Sequence, residues 1–155
     1  RHVYVYIPKQ IKPNAPFMVV QDGHSYINRM APVLDNMIAA HRVPAMIIIA
    51  PDSGGSDAQG SERGLEYDTL SDRYSNWVEQ ELLPAVAQKY GVTFTSDPEG
   101  RAAMGGSSGA ICAWTMACSI PSVTTRCFPI PVPSSIRLHR KTPRLHAAVG
   151  SITPA

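Results

Sequence analysis

Residues 99–117 read "EGRAAMGGSSGAICAWTMA", in which two glycines, two serines and a third glycine separate a short apolar run from a helix-like run. Within this stretch, Gly105-Gly106-Ser107-Ser108-Gly109 fits the pattern G-x-S-x-G with Ser107 at its centre. In a nucleophile elbow the serine occupies a strained strand-to-helix turn, and glycines are needed because side chains there would collide with neighbouring backbone. An ordinary Gly-Ser loop is the alternative, because a lone G-x-S-x-G also occurs by chance.

The runs on either side of this motif favour the elbow. Residues 101–104 read as a very short strand that follows the turn Asp97-Pro98-Glu99-Gly100, and Ala110 to Cys118 read as a helix. The order is therefore turn, short strand, G-G-S-S-G and helix, which is the context that an elbow requires.

Upstream of the motif, strand-like and helix-like segments alternate. The runs "HVYVYIP" from His2, "FMVVQDG" from Phe17 and "AMIIIAPDSGG" from Ala45 read as strands, and a helix is predicted over Asn28 to His41. This alternation predicts an α/β fold, with a mostly parallel sheet and helices on both faces.

One longer amphipathic helix is predicted ahead of the elbow, over residues 69–90. Gly91 can end it, because glycine adopts the left-handed conformation common at helix ends. Pro84 lies inside it and has no backbone N–H to donate, so we expect a kink or a break there.

Composition narrows the class of protein. The 155 residues are 44% hydrophobic and 17% charged, which predicts a soluble globular protein, and the net charge of +2 is too small to indicate nucleic acid. The longest apolar stretch, "VPAMIIIA", is far shorter than the roughly 20 residues of a membrane helix. Cys112, Cys118 and Cys127 lack metal-ligand spacing, so we expect buried thiols, no metal and no cofactor.

The elbow predicts different catalytic roles for the residues around it. A serine hydroxyl such as that of Ser107 needs a histidine to take its proton, and the oxyanion that forms needs backbone N–H donors. Ser108 N–H would supply one donor, with the positive end of the following helix behind it. A backbone N–H near Gly23, in "QDGHSY", could supply the second, whereas His24 reads by default as a surface residue.

A second polar segment offers weaker candidates. "PDSGGSDAQGSERGLEYD" could line a substrate pocket through Arg63, Glu66 and Tyr67. A solvated loop with an Arg63–Glu66 pair explains the same residues equally well.

The run from Ser61 to Ala117 resembles the esterases related to enterochelin (enterobactin) esterase and esterase D, which are α/β-hydrolases. The resemblance is carried by "RGLEYD" (63–68), "RY" (73–74), "ELLP" (81–84), "DPEGR" (97–101) and the elbow at 105–109. The resemblance extends to the front of the chain through "VYVYIP", "QDGHSY" and "VLDNMIAAHRVPAMIII", so it covers about residues 2–117. Ala110 stands where the family usually has another glycine.

This resemblance implies an α/β-hydrolase-like three-layer sandwich, of which the chain would hold the N-terminal part. It implies a serine esterase that acts on small-molecule carboxylic esters, with Ser107 as the nucleophile. The elbow does not by itself distinguish water from another acyl acceptor, so an acyltransferase or a peptidase is the alternative among enzymes. A non-catalytic interaction protein that retains the elbow is the alternative outside them.

The sequence departs from the family after the elbow helix. No Asp or Glu follows Ser107, so the order serine, acid, histidine cannot be completed, although His139 and His146 remain. Bases that encode "CFPIPVPS" (127–134) can, when read from one base earlier, encode Val-Leu-Ser-His-Ser-Gly-Ser-Phe, the segment expected in the family. We therefore divide the chain into an esterase part over residues 1–118 and a divergent tail over 119–155, which we expect to pack poorly and attribute to a change of frame.

Overall fold

The computed structural model describes residues 1–54 and 62–119, and the backbone alone of residues 126–130. Two short helical turns interrupt the main elements, a π-helical turn at Val78–Leu82 and a 3-10 turn at Pro98–Gly100. The main elements in chain order are β1 (Val3–Tyr6), β2 (Phe17–Val20), α1 (Gly23–Ala39), β3 (Ile47–Pro51), α2 (Glu62–Tyr67), α3 (Arg73–Trp77), α4 (Leu83–Tyr90), β4 (Arg101–Gly106), α5 (Ser108–Ser119) and β5 (Arg126–Ile130).

The strands form one five-stranded sheet in the order β1-β3-β2-β4-β5. Among the described strands, only β1 runs antiparallel to its neighbour, β3, and the other three pairs are parallel. Strands β2 and β3 are buried along their whole length, which explains why they read as continuous apolar runs without alternation. The prediction of an α/β fold with a mostly parallel sheet is confirmed.

Helices cover both faces of this sheet. On one face, Val20, Ile48 and Ala50 pack with residues of α1 such as Leu34 and Ile38. On the other face, the opposite side chains of the same strands pack with residues of α3, α4, α5 and the π-helical turn. The result is a three-layer sandwich with a separate hydrophobic core on each side of the sheet.

The structure differs from the predicted helices in two places. Helix α1 begins at Gly23 rather than at Asn28, directly after β2. The predicted helix over residues 69–90 begins only at Arg73, and a π-helical turn divides it just before Pro84. Because Pro84 cannot donate a backbone hydrogen bond, the local change of helical register is the expected consequence, and Gly91 ends α4 in the left-handed conformation.

The predicted tail contains one described element, β5, which pairs in parallel with β4. Its register places Pro129 beside Gly105. Proline is tolerated at a sheet edge because it has no N–H to donate to a further strand, and β5 is the outermost of the strands that the structure describes. The prediction of poor packing concerns residues that otherwise lie outside the described ones, and it stays a prediction.

Three further expectations concern the burial of the cysteines, membrane-spanning helices and metal sites. Cys112 is buried, but Cys118 is exposed near the end of α5, so the expectation of buried thiols is wrong for Cys118. No helix within the described ranges is long and apolar enough to cross a membrane. Among those same residues, no group of three or more His, Cys, Asp or Glu side chains is arranged to hold a metal ion.

Candidate active site

Ser107 occupies the turn between β4 and α5. It follows Gly106, the last residue of β4, and precedes Ser108, the first residue of α5. Its φ is 54°, in the left-handed region that few residues other than glycine, asparagine and aspartate adopt. The residue is exposed, so a strained backbone holds the Ser107 hydroxyl at the surface.

The two outer glycines of the motif allow this turn to close. A Cβ atom on Gly105 would lie 2.3 Å from the carbonyl oxygen of Gly109. A Cβ atom on Gly109 would lie 3.0 Å from the Cβ of Gln21 and 3.2 Å from Oδ2 of Asp22. The motif therefore folds back on itself and also packs against the turn that follows β2.

That second turn joins β2 to α1 and is equally constrained. Asp22 has φ 56° and ψ 54°, so it too is left-handed. Gly23 approaches β3 so closely that a Cβ atom there would lie 2.0 Å from the carbonyl oxygen of Ala50. Gly23 begins α1 as Ser108 begins α5, and neither backbone N–H has a hydrogen-bond acceptor in the part of the chain that the structure describes.

The topology of the sheet brings these two turns together. Strands β2 and β4 are adjacent and parallel, and Gln21 N–H donates to the carbonyl of Met104 at 2.8 Å. Helix α1, which follows β2, lies on one face, while α5, which follows β4, lies on the other. In open α/β sheets, ligands bind in the crevice at the carboxyl ends of two such strands.

Helix α2 and the residue after it contact both turns. The guanidinium of Arg63 forms a bidentate ion pair with Asp22, from Nε at 2.9 Å and from Nη2 at 2.7 Å. This pairing raises the pKa of Arg63. Tyr67 accepts a hydrogen bond from Asp22 N–H at 3.4 Å, and the hydroxyl of Ser108 donates to Oδ2 of Asp68 at 3.2 Å.

The three residues predicted to line a substrate pocket all have partners within the chain. Arg63 pairs with Asp22 and not with Glu66, so the alternative of a local Arg63–Glu66 pair is wrong. Glu66 instead forms an ion pair with Arg1 and accepts a hydrogen bond from Gly54 N–H at 2.9 Å. The side chain of Tyr67 is 0% exposed. A substrate-binding role for these residues stays a prediction.

A buried polar network lies beneath the two turns. The hydroxyl of Tyr74 donates to Oε1 of Gln21 at 3.0 Å, and the amide of Gln21 contacts the sulfur of Met116 at 3.2 Å. The rings of Tyr67 and Tyr74 meet edge to face at 5.5 Å. Burial raises the pKa of both tyrosines, so both are neutral hydrogen-bonding groups at neutral pH.

His24 lies at the same edge of the sheet, in the first turn of α1, and is a surface residue as expected, although it has a carboxylate partner. Its Nδ1 lies 2.8 Å from Oδ1 of Asp52, which also accepts the backbone N–H of His24 at 3.0 Å. Its Nε2 lies 3.1 Å from the hydroxyl of Ser25, and 55% of its side chain is exposed. The pairing of His24 with Asp52 was not predicted from the sequence. The signal that could have indicated it is the position of Asp52 as the first polar residue after the buried strand β3.

Comparison with known proteins agrees with the family resemblance found in the sequence. The family model described as "Putative esterase" matches residues 1–128. No curated protein sequence matches the chain.

Solved structures resemble this chain over most of its length. An enterobactin esterase from Shigella flexneri, solved in the presence of enterobactin, has a TM-score of 0.71 at 19% identity, covering 82% of this chain and 32% of that one. The ferric enterobactin esterase of Salmonella typhimurium gives 0.71 at 18%, covering 82% and 31%. A siderophore hydrolase from Aspergillus nidulans gives 0.63 at 18%, covering 82% and 50%. The fold is that of the α/β-hydrolases, and this chain spans no more than half the length of these three proteins.

Proposed function

This chain belongs to the esterase family whose model matches residues 1–128, and from that membership we propose that it hydrolyses small-molecule carboxylic esters, with Ser107 as the nucleophile. The observation that carries the proposal is the backbone of Ser107, left-handed at φ 54° between β4 and α5. Backbone strain of this kind persists only where the surrounding structure enforces it, and it is concentrated at functional sites. The contacts of Gly105 and Gly109 supply that enforcement.

Two backbone amides would stabilise the negative charge that develops during the reaction. Ser108 N–H follows the nucleophile directly, and Gly23 N–H lies at the start of α1, after the turn that follows the neighbouring strand β2. Both begin helices, whose N-terminal ends carry partial positive charge, and neither has another acceptor among the residues described. Such donors act most strongly when they are held in place before the reaction begins.

The proposed reaction proceeds through an acyl-enzyme. The Ser107 oxygen bonds to the ester carbonyl carbon while its proton passes to a histidine, and the tetrahedral oxyanion accepts hydrogen bonds from the two amides. The bond to the alcohol then breaks, and the alcohol leaves with the proton from histidine. Water repeats both steps and releases the carboxylic acid. Two described histidines lie at this edge, His24 beside Asp52 and His2 before β1, while His139 and His146 lie outside the described residues.

The proteins that this chain resembles support a proposal for the substrate class. Those proteins are enterobactin esterases and a siderophore hydrolase, and a ferulic acid esterase is also similar, with a TM-score of 0.58 at 20% identity. We therefore propose a siderophore ester or an aromatic ester as the substrate. Hydrolysis of enterobactin and of methyl ferulate, measured side by side, would distinguish the two.

Labelling with a fluorophosphonate tests the nucleophile, because an activated serine reacts with this probe and an inert one does not. We expect labelling that is lost in Ser107→Ala and kept in Ser96→Ala, a matched change at an exposed loop serine. Equal labelling of Ser107→Ala would contradict the proposal. No labelling of the unmodified chain would instead favour an interaction protein that retains the elbow.

A further inference from the structure

Helix α2 and the residue after it connect the two turns that carry the proposed amide donors. Arg63 and Tyr67 contact Asp22, the residue before Gly23. Asp68 accepts a hydrogen bond from the hydroxyl of Ser108. These three contacts come from a segment of only six residues, yet they span two turns that are more than eighty positions apart in the sequence.

The contact with Asp22 has the features of an interaction that fixes geometry. The guanidinium of Arg63 donates two hydrogen bonds to the carboxylate of Asp22. The side chains of Arg63 and Asp22 are only 27% and 14% exposed. Bidentate pairs of this kind fix orientation as well as distance. Asp22 is also left-handed, a conformation that aspartate tolerates, so the ion pair fixes its carboxylate within a tight turn.

Tyr67 packs α2 against the core. Its side chain is fully buried, packs in the same core cluster as Cys112 and Met116 of α5, and meets the ring of Tyr74 edge to face. The guanidinium of Arg63 lies 5.3 Å from the Tyr67 ring centroid, so the ion pair rests on this fixed ring. Movement of α2 would therefore disturb the packing of Tyr67 against residues of both α3 and α5.

We propose that α2 acts as a brace that sets the spacing between Gly23 N–H and Ser108 N–H, with Arg63 and Asp22 as its principal positioning residues. The inference rests on the proposed function, because the two amides matter only if an oxyanion forms between them. Oxyanion donors must lie about 2.7–3.1 Å from the charge, and a misplacement of about 1 Å can cost on the order of 100-fold in rate. Arg63 would then act on the reaction without touching the substrate.

This role and the substrate-binding role predicted from the sequence differ in kinetics. A residue that binds substrate equally before and during the reaction changes KM, whereas one that holds transition-state donors changes kcat. The test compares Arg63→Gln, Asp22→Asn and the double variant with Arg29→Gln, a matched change at an exposed arginine on α1. Asparagine is chosen because it tolerates the left-handed backbone of Asp22.

With p-nitrophenyl acetate, we expect Arg63→Gln and Asp22→Asn each to lower the Ser107-dependent kcat by about 10-fold to 100-fold, with KM unchanged. The double variant should lose no more than the worse single variant, because both break one interaction. Arg29→Gln should leave both constants unchanged. A higher KM with kcat intact in Arg63→Gln would overturn the brace and favour substrate binding.

A second measurement separates this inference from the proposed function. In ¹H–¹⁵N spectra, we expect Arg63→Gln to shift the amide resonances of both Gly23 and Ser108, and Arg29→Gln to shift neither. If Ser107-dependent turnover is absent from the unmodified chain, the proposed function fails, and these resonances alone decide whether α2 is a brace. Unshifted Gly23 and Ser108 resonances in a folded Arg63→Gln variant would overturn it.

Discussion

Gly105 and Gly109 approach so closely that a Cβ atom on Gly105 would lie 2.4 Å from the carbonyl carbon of Gly109. No side chain fits this space without movement of the backbone. The contact joins the end of β4 to the first turn of α5 and so determines the shape of the elbow around Ser107.

Gly105→Ala should therefore destabilise the chain by about 3 kcal/mol, the upper end of the usual cost of overpacking, or displace the elbow. Gly64→Ala is the matched control, because a Cβ atom there would meet nothing closer than 3.9 Å and alanine favours the helix α2. Urea unfolding measures both variants. Equal stability of Gly105→Ala and the unmodified chain, with fluorophosphonate labelling retained, would contradict the close contact.

Ser107→Gly should stabilise the fold while abolishing its reactivity. Glycine adopts φ 54° without strain, and relief of a left-handed conformation is expected to gain about 1 kcal/mol. Ser107→Ala should lose the reactivity without that gain, because alanine keeps a Cβ atom. Thermal unfolding of the two variants measures the difference, and a Ser107→Gly variant less stable than Ser107→Ala would show that the serine backbone is not strained.

The turnover of the chain should be weak because no acid follows Ser107, and because neither His139 nor His146 lies in the sequence context of a catalytic histidine of the family. We expect p-nitrophenyl acetate hydrolysis at roughly 10³-fold to 10⁴-fold above water, the level that remains when a triad member is absent. Steady-state kinetics of the purified chain measures this rate. Rapid turnover that Ser107→Ala removes would show that a base is present, and loss of that turnover in His24→Ala would identify it as His24.

High pH should destabilise the chain through its buried tyrosines. The pKa of Tyr74 and that of Tyr67 are raised above 10.0 by burial, so the unfolded chain loses these protons before the folded chain does. The free energy of unfolding should therefore be fully maintained below pH 10 and should fall as the pH rises further.

Tyr74→Phe tests this prediction, because phenylalanine cannot ionise. Its unfolding free energy should fall less steeply above pH 10 than that of the unmodified chain, by up to about 1.4 kcal/mol per pH unit. Tyr90→Phe, at an exposed tyrosine, is the control and should keep the original slope. Identical slopes in Tyr74→Phe and the unmodified chain would contradict the role of burial.

The coding DNA should reveal the origin of the tail over residues 119–155. We expect the codons for Cys127 to Ser134 to give Val-Leu-Ser-His-Ser-Gly-Ser-Phe when read one base earlier, and to continue in that frame to an acid and a histidine. Sequencing of the gene measures this directly. An uninterrupted gene whose codons do not encode that peptide would refute the change of frame, which would otherwise also replace the sequence of β5.

The features that the sequence predicted well are those that depend on neighbouring residues. The strands β2, β3 and β4 follow from short apolar runs that end in polar residues or glycine, and the position of the elbow follows from five consecutive residues. The prediction places the start of α1 five residues too late, because His24 and Ser25 in its first turn are polar and exposed. Apolar periodicity does not detect such a turn.

The contacts of the candidate site could not be predicted in the same way. Arg63 has a local acid, Glu66, at a suitable helical spacing, but it pairs with Asp22, which is 41 residues away in the sequence. The pair between His24 and Asp52 likewise spans 28 residues. Which charges meet is decided by the order of strands in the sheet, and spacing along the chain contains no information about that order.

The pairing of β2 with β4 has a consequence for how the protein folds. Phe17 lies opposite Arg101, so this ladder closes a loop that contains more than half of the chain. Contacts between residues so distant in sequence carry a large entropic cost and form slowly. The crevice at the ends of these two strands therefore assembles late, after α1 and β3 can already have formed their local contacts. In an intermediate that lacks this ladder, the two turns would not be held next to each other, so we expect it to have no site.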